Sequence, residues 1–123
     1  MEILANSTNF NGIIIPTIDA RRDEVYSSAF FQSNMISKEK PEIIVSESFT
    51  EYLKNNNIII VGNGQFKCEK IIKKHKKIFF DKNIINPSSK YMPELSNRKF
   101  INNEFEDLAY FEPTYLKEFK TNL

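Results

Sequence analysis

The run Ile13-Ile14-Ile15-Pro16-Thr17-Ile18 limits what this chain can fold into more than any other feature. It is apolar at successive positions, so as a strand it needs cover on both faces and belongs in the middle of a sheet. The charged stretch Asp19-Ala20-Arg21-Arg22-Asp23-Glu24 follows, and then Val25 to Phe31, with β-branched and aromatic residues at both ends. That pattern predicts an antiparallel hairpin joined by a short charged turn.

At 123 residues the chain has the length of one compact domain, which buries roughly two thirds of its unfolded surface. Its 27% charged residues and net charge of +1 argue against disorder and give no general case for nucleic-acid binding. The single Cys68 excludes an intramolecular disulfide and with it a secreted disulfide scaffold. No apolar run approaches the ~20 residues that cross a bilayer, and Met1 to Asn6 lacks the pattern of a signal peptide. The expectation is a soluble cytoplasmic protein with no membrane partner.

Along the chain, Met1 to Ala5 reads as a final helical turn, with Asn6 suited to a left-handed C-cap. Gln32 to Glu42 is polar and lysine-bearing, as in a long exposed hairpin loop, and Ile43-Ile44-Val45 reads as a third strand. Ser48-Phe49-Thr50-Glu51 has capping-box spacing and predicts a short helix burying Phe49, Tyr52 and Leu53. Ile58-Ile59-Ile60-Val61 is the clearest buried strand. Gly62-Asn63-Gly64 turns it into a helix running to about Lys76, with Phe66, Ile71 and Ile72 inward. Ile78-Phe79-Phe80 is a short strand. Ser88 or Ser89 caps a last helix to about Phe100, which Pro93 kinks or divides, and the chain closes in an extended segment around Pro113. The order β-β-β-α-β-α-β-α is that of an α/β, ribonuclease-H-like domain: three antiparallel strands, then alternating helices and strands.

Three blocks carry a family resemblance. Pro16 to Tyr26 resembles the "P-x-(I/L)-D-A-R-x-x-E-V-Y" hairpin of the TsaB family, non-catalytic subunits of the bacterial machinery that makes threonylcarbamoyladenosine on tRNA. Ile60-Val61-Gly62-Asn63-Gly64 is similar to the family's "V-G-N-G" turn. Pro87 to Leu95, with Asp107 to Lys117, is similar to its tail, where Pro113-Thr114-Tyr115-Leu116-Lys117 matches "P-x-Y-L-(R/K)". The resemblance implies the C-terminal lobe of a two-lobed protein of actin-like ATPase architecture, with an N-terminal lobe upstream. It implies a TsaD-like catalytic subunit and a TsaE-like ATPase as partners, no catalytic residues, no metal and no cofactor. The motif positions it marks as structural or partner-related are Asp19, Arg21, Arg22, Glu24, Gly62, Asn63, Gly64, Pro113 and Tyr115. One departure is Asp23, where many relatives carry Gly at a position expected to need positive φ.

Each residue that could carry chemistry has a plainer structural reading. Asp19, Asp23 and Glu24 could hold a metal or act as acid and base. The plainer reading has Asp19 capping the turn through backbone amides while Arg21 and Arg22 pair with nearby acids. Ribonuclease chemistry needs several acids on one sheet edge; Ile18, Tyr26 and Ile44 stand there instead. Gly62-Asn63-Gly64 could present free amides to an anion or form a tight structural turn, and the second is favoured. If the first held, the chain would be a nucleotide-binding half-domain of an actin-like ATPase or kinase.

Lys67, Lys70, Lys73, Lys74, Lys76 and Lys77, with His75, make one helix basic, either a solvated face or a weak contact to tRNA phosphates. No H-E-x-x-H or paired metal spacing exists, and Cys68 is expected to pack within its helix. Tyr110, Phe111, Tyr115 and Phe119 form either a docking surface or, the favoured alternative, a segment wrapping its own core. Apolar surface left by an absent lobe could also drive self-association.

Overall fold

The computed structural model describes residues 1–117. The long aliphatic run forms strand β1 (Ile13–Asp19), which sits between β2 (Glu24–Phe31) and β4 (Ile58–Val61). With β3 (Asn34–Ile43) and β5 (Ile78–Phe80), they make one five-stranded sheet in the order β3-β2-β1-β4-β5. β1, β2 and β3 are antiparallel, whereas β4 adds parallel to β1, and β5 parallel to β4. This is the expected ribonuclease-H-like arrangement, with helix α2 (Gln65–Ile71) making the crossover between the parallel strands β4 and β5.

Both faces of β1 are covered, as its composition demands. Ile13 and Ile15 join Val25, Ala29, Ile58 and Ile60 beneath Phe49, Cys68 and Ile72. On the other face Ile14 packs with Phe30, Ile59 and Val61 against Leu4 and Ala5 of α1 (Glu2–Ala5). Fully burying such side chains stabilises by about 1.5–3 kcal/mol each, which makes this two-sided core the main support of the fold. α1 also meets α3 (Met92–Ile101), where Arg98 lies 3.9 Å from Glu2. Pro93 falls in the first turn of α3, where its missing N–H costs nothing, so the helix runs on without a break. Among the described residues, no helix is long and apolar enough to cross a membrane.

Several local expectations are corrected. The stretch read as a loop over Gln32 to Glu42 is largely strand β3, joined to β2 through Gln32 and Ser33 at φ 48° and 65°. Both central residues of this two-residue turn are left-handed, the geometry that matches strand twist. Ile43 ends β3, and Ile44 leaves the sheet to enter the core. β3 is an outer strand carrying Lys38, Lys40 and Pro41 along its length.

The capping box does not form. Ser48 Oγ instead accepts from Val45 N at 3.0 Å, and Phe49 takes φ 67° to drop its ring into the core. The expected helix is reduced to a single 3-10 turn, Thr50–Tyr52. Asn6 is right-handed at φ −77°. α2 ends at Ile71, because Ile72 turns extended (ψ 132°) to bury its side chain, so Lys73 to Lys77 lie outside the helix expected to hold them. Of the three expected inward residues, Ile72 is buried and Ile71 packs half-buried against the core, whereas Phe66 faces outward at 38% exposure; Gln65 and Cys68 are the buried positions of the helix itself.

Candidate functional site

β1 and β4 run parallel, and the crevice beyond the carboxyl ends of such strands is where open α/β sheets bind ligands. Here that edge holds the charged hairpin and the glycine turn. Gly62 has φ 92°, and a Cβ on it would lie 2.1 Å from the Thr17 carbonyl oxygen. A Cβ on Gly64 would meet the Thr17 side chain at 2.9 Å. Glycines at 62 and 64 therefore allow the turn to lie directly on β1. Thr17 Oγ1 donates to Val61 O at 2.8 Å, and Asp19 N donates to Asn63 Oδ1 at 2.8 Å, tying the motifs together.

This geometry decides the chemistry of the turn. Gly62 N donates to Ile84 O at 2.8 Å and Gly64 N to Thr17 O at 3.3 Å. Gln65 N bonds Gly62 O, and its side-chain amide bridges Gly62 O and Ile84 O at 2.9 Å each. The amides of Gly62, Gly64 and Gln65 are engaged by the fold's own carbonyls, as a tight structural turn requires.

Asp19 Oδ1 accepts from Arg21 N and from Lys67 Nζ, both at 2.8 Å. The Lys67 ammonium, helped by the Arg21 amide, holds this carboxyl below its usual value of 3.8, so Asp19 is a standing anion. Lys67 also donates to Glu24 O at 2.8 Å, which pins α2 to the hairpin. Arg21 and Arg22, at φ 68° and 48°, carry the left-handed backbone expected of Asp23. Among the described residues neither arginine pairs with an acid, contrary to expectation, because Lys67 occupies that place at Asp19. Asp19, Asp23, Asn63, Phe66, Lys67 and Lys70 line an open hollow of about 400 Å³.

Glu24 and Tyr115 each make a separate contact near Lys117: the first is its ion-pair partner and the second lines a hollow with it. The Glu24 carboxylate pairs with Lys117, whose Nζ lies 5.6 Å from the Tyr26 ring centre. Tyr26, Ile18, Glu39, Tyr115 and Leu116 line a second hollow of about 400 Å³ on the sheet face that also holds Met1. Pro113 is exposed in the segment leading there. Yet Tyr110, Phe111 and Tyr115 are 84%, 66% and 84% exposed, so these aromatics do not wrap the core as favoured; Phe119 lies outside the described residues.

Among the described residues, reactive groups do not converge: no three of His, Cys, Asp or Glu are placed to hold a metal. Cys68 is fully buried, and desolvation pushes its thiol up to about 12. The residues the sequence reading passed over are Thr17 and Gln65, each a buried polar side chain clamping the glycine turn. A lone hydroxyl within an aliphatic strand was the available signal for Thr17.

Two of the solved structures that share this architecture come from Pseudomonas aeruginosa. One, described as an uncharacterized protein with similarity to peptidase YeaZ from Pseudomonas aeruginosa, is 20% identical and superposes over 94% of this chain with TM-score 0.73. The other is YeaZ from Pseudomonas aeruginosa, also 20% identical, over 94% of this chain with TM-score 0.68. The chain has a YeaZ-like fold. It spans about half of the YeaZ-like chains it matches, 56% in each case. No family model and no curated protein matches it.

Proposed function

We propose that this chain is a lobe of a TsaB-like accessory subunit, TsaB being the family of YeaZ, and that it supports formation of N6-threonylcarbamoyladenosine at tRNA position 37. It acts through contacts with a TsaD-like catalytic subunit, alongside a TsaE-like ATPase, and performs no chemistry itself. The observation that carries this reading is the joint between two of the motif blocks. The Asp19–Asn63 hydrogen bond and the seat of Gly62 on Thr17 make the hairpin and the glycine turn one structural unit. Asp19, which would otherwise suggest catalysis, is occupied in building that unit. The likeness to YeaZ over 94% of the chain supports the same assignment.

The test is reconstitution. Catalytic subunit, ATPase, tRNA, threonine, bicarbonate and ATP are combined with this chain alone or joined to a TsaB N-terminal lobe. Modified nucleoside is expected only with the joined protein. Modification by this chain without the other subunits would overturn the accessory role, and failure of the joined protein to bind the catalytic subunit would overturn the family reading.

A further inference from the structure

The most concentrated charge in the chain is Lys73-Lys74-His75-Lys76-Lys77, which the structure places in a loop between α2 and β5. The loop has a defined shape. Lys73 N donates to Ser46 O at 3.0 Å, Lys77 N to His75 Nδ1 at 3.1 Å, and Lys77 Nζ to Leu53 O at 3.3 Å. Lys73, Lys74 and Lys76 are exposed, and among the described residues none of them has an acidic partner. The nearby acid, Glu69, is held by Lys82 at 3.0 Å. Three uncompensated ammonium groups so close together repel one another, and helix-end stabilisation falls off within the last turn of a helix that ends at Ile71.

Behind the lysines lies a hollow of about 450 Å³ whose apolar lining is Ile72, Ile78 and Phe80, with the Lys82-paired Glu69 also on its wall. Ile72 is buried and the other two are half-buried, so the apolar groups are recessed while the ammonium groups stand at the rim. A bilayer surface takes protruding apolar side chains, which this arrangement lacks. A flexible strand of phosphates with flat bases suits it: phosphates at the rim, one base against the apolar lining.

We propose that loop 73–77 and the hollow behind it form a binding site for single-stranded nucleic acid. Lys73, Lys74 and Lys76 contact successive phosphates, and a base enters the hollow against Phe80. This inference is independent of the accessory-subunit reading, since it concerns this chain by itself.

The experiment is fluorescence anisotropy of the chain with labelled twelve-residue oligouridylate, oligothymidylate and an abasic oligomer, across salt concentrations. With three phosphates engaged, log affinity should fall against log salt with a slope of about −2. The triple variant Lys73→Glu, Lys74→Glu, Lys76→Glu should weaken binding at least about tenfold at low salt and flatten the slope. These side chains are exposed, and circular dichroism verifies the fold. The pair Lys90→Glu, Lys99→Glu changes net charge elsewhere and should leave binding unchanged. The abasic oligomer should bind about fivefold more weakly. Tighter binding of the uridylate or of the thymidylate identifies RNA or DNA as the source. Absence of binding at low salt, equal weakening by the control pair, or equal binding of the abasic oligomer would overturn the proposal.

Discussion

Asp19 and Asn63, 44 positions apart, are joined by a 2.8 Å hydrogen bond from the Asp19 backbone amide to the Asn63 side-chain oxygen. Gly62 beside it lies against the Thr17 carbonyl with no room for a methyl group. These two contacts should differ sharply in importance. Gly62→Ala adds a steric clash to an unfavourable positive φ and should cost about 3 kcal/mol or more. Asn63→Ala removes one exposed hydrogen bond and should cost about 1 kcal/mol. Urea unfolding curves of the two variants measure both, and equal losses would contradict a joint seated on Gly62.

The Asp19–Lys67 pair predicts an acid-dependent contribution to stability. Lys67 and the Arg21 amide depress the folded-state value of Asp19 below 3.8, its ordinary value. A depressed carboxyl stabilises the fold above its unfolded value, and that contribution disappears as pH falls through the folded one. The effect is small because the carboxylate is largely exposed. A carbon-detected NMR titration should find Asp19 titrating lower than an ordinary aspartate, and Lys67→Met should move it upward.

Cys68 should be inert in the folded protein. Burial raises its thiol to about 12, so the reactive thiolate is nearly absent at neutral pH. Ellman's reagent at pH 8 should give no signal with native protein and one equivalent in denaturant. Fast labelling without denaturant would mean that the face of the sheet under α2 is open.

The β2–β3 turn can be improved. Gln32 and Ser33 occupy left-handed backbone without the residue types that favour it. Replacing them with Asn and Gly (Gln32→Asn with Ser33→Gly) should raise stability by about 1 kcal/mol, read as a higher urea midpoint with unchanged slope. An unchanged midpoint would argue against the two-residue hairpin.

That turn also shows where sequence reasoning loses its grip. β1 and β4 are legible because aliphatic residues at every position are best satisfied by a strand covered on both sides. The glycine turn is legible because positive φ at residue 62 selects glycine. β3 is hidden because its polar, lysine-bearing sequence is that of an outer strand, and Gln-Ser carries no turn signal. The Ser48 cap misleads because tertiary burial of Phe49 overrides the local helix start, and burial of Ile72 shortens α2 in the same way. At the candidate site Asp19 and the two glycines are legible, but the role of Lys67 depends on a contact between residues 48 positions apart. A chain-local reading sees only a lysine among lysines.

The outer border formed by β3 has a colloidal consequence. A ten-residue strand with an unsatisfied side invites other molecules to zip onto it and begin a fibril. Lys38 and Lys40 would bring like charge into register with any identical copy stacking there, and Pro41 withholds a donor that such stacking requires. Concentrated solutions of this chain are thus guarded against cross-β growth along that border by three side chains that contribute little to its own core.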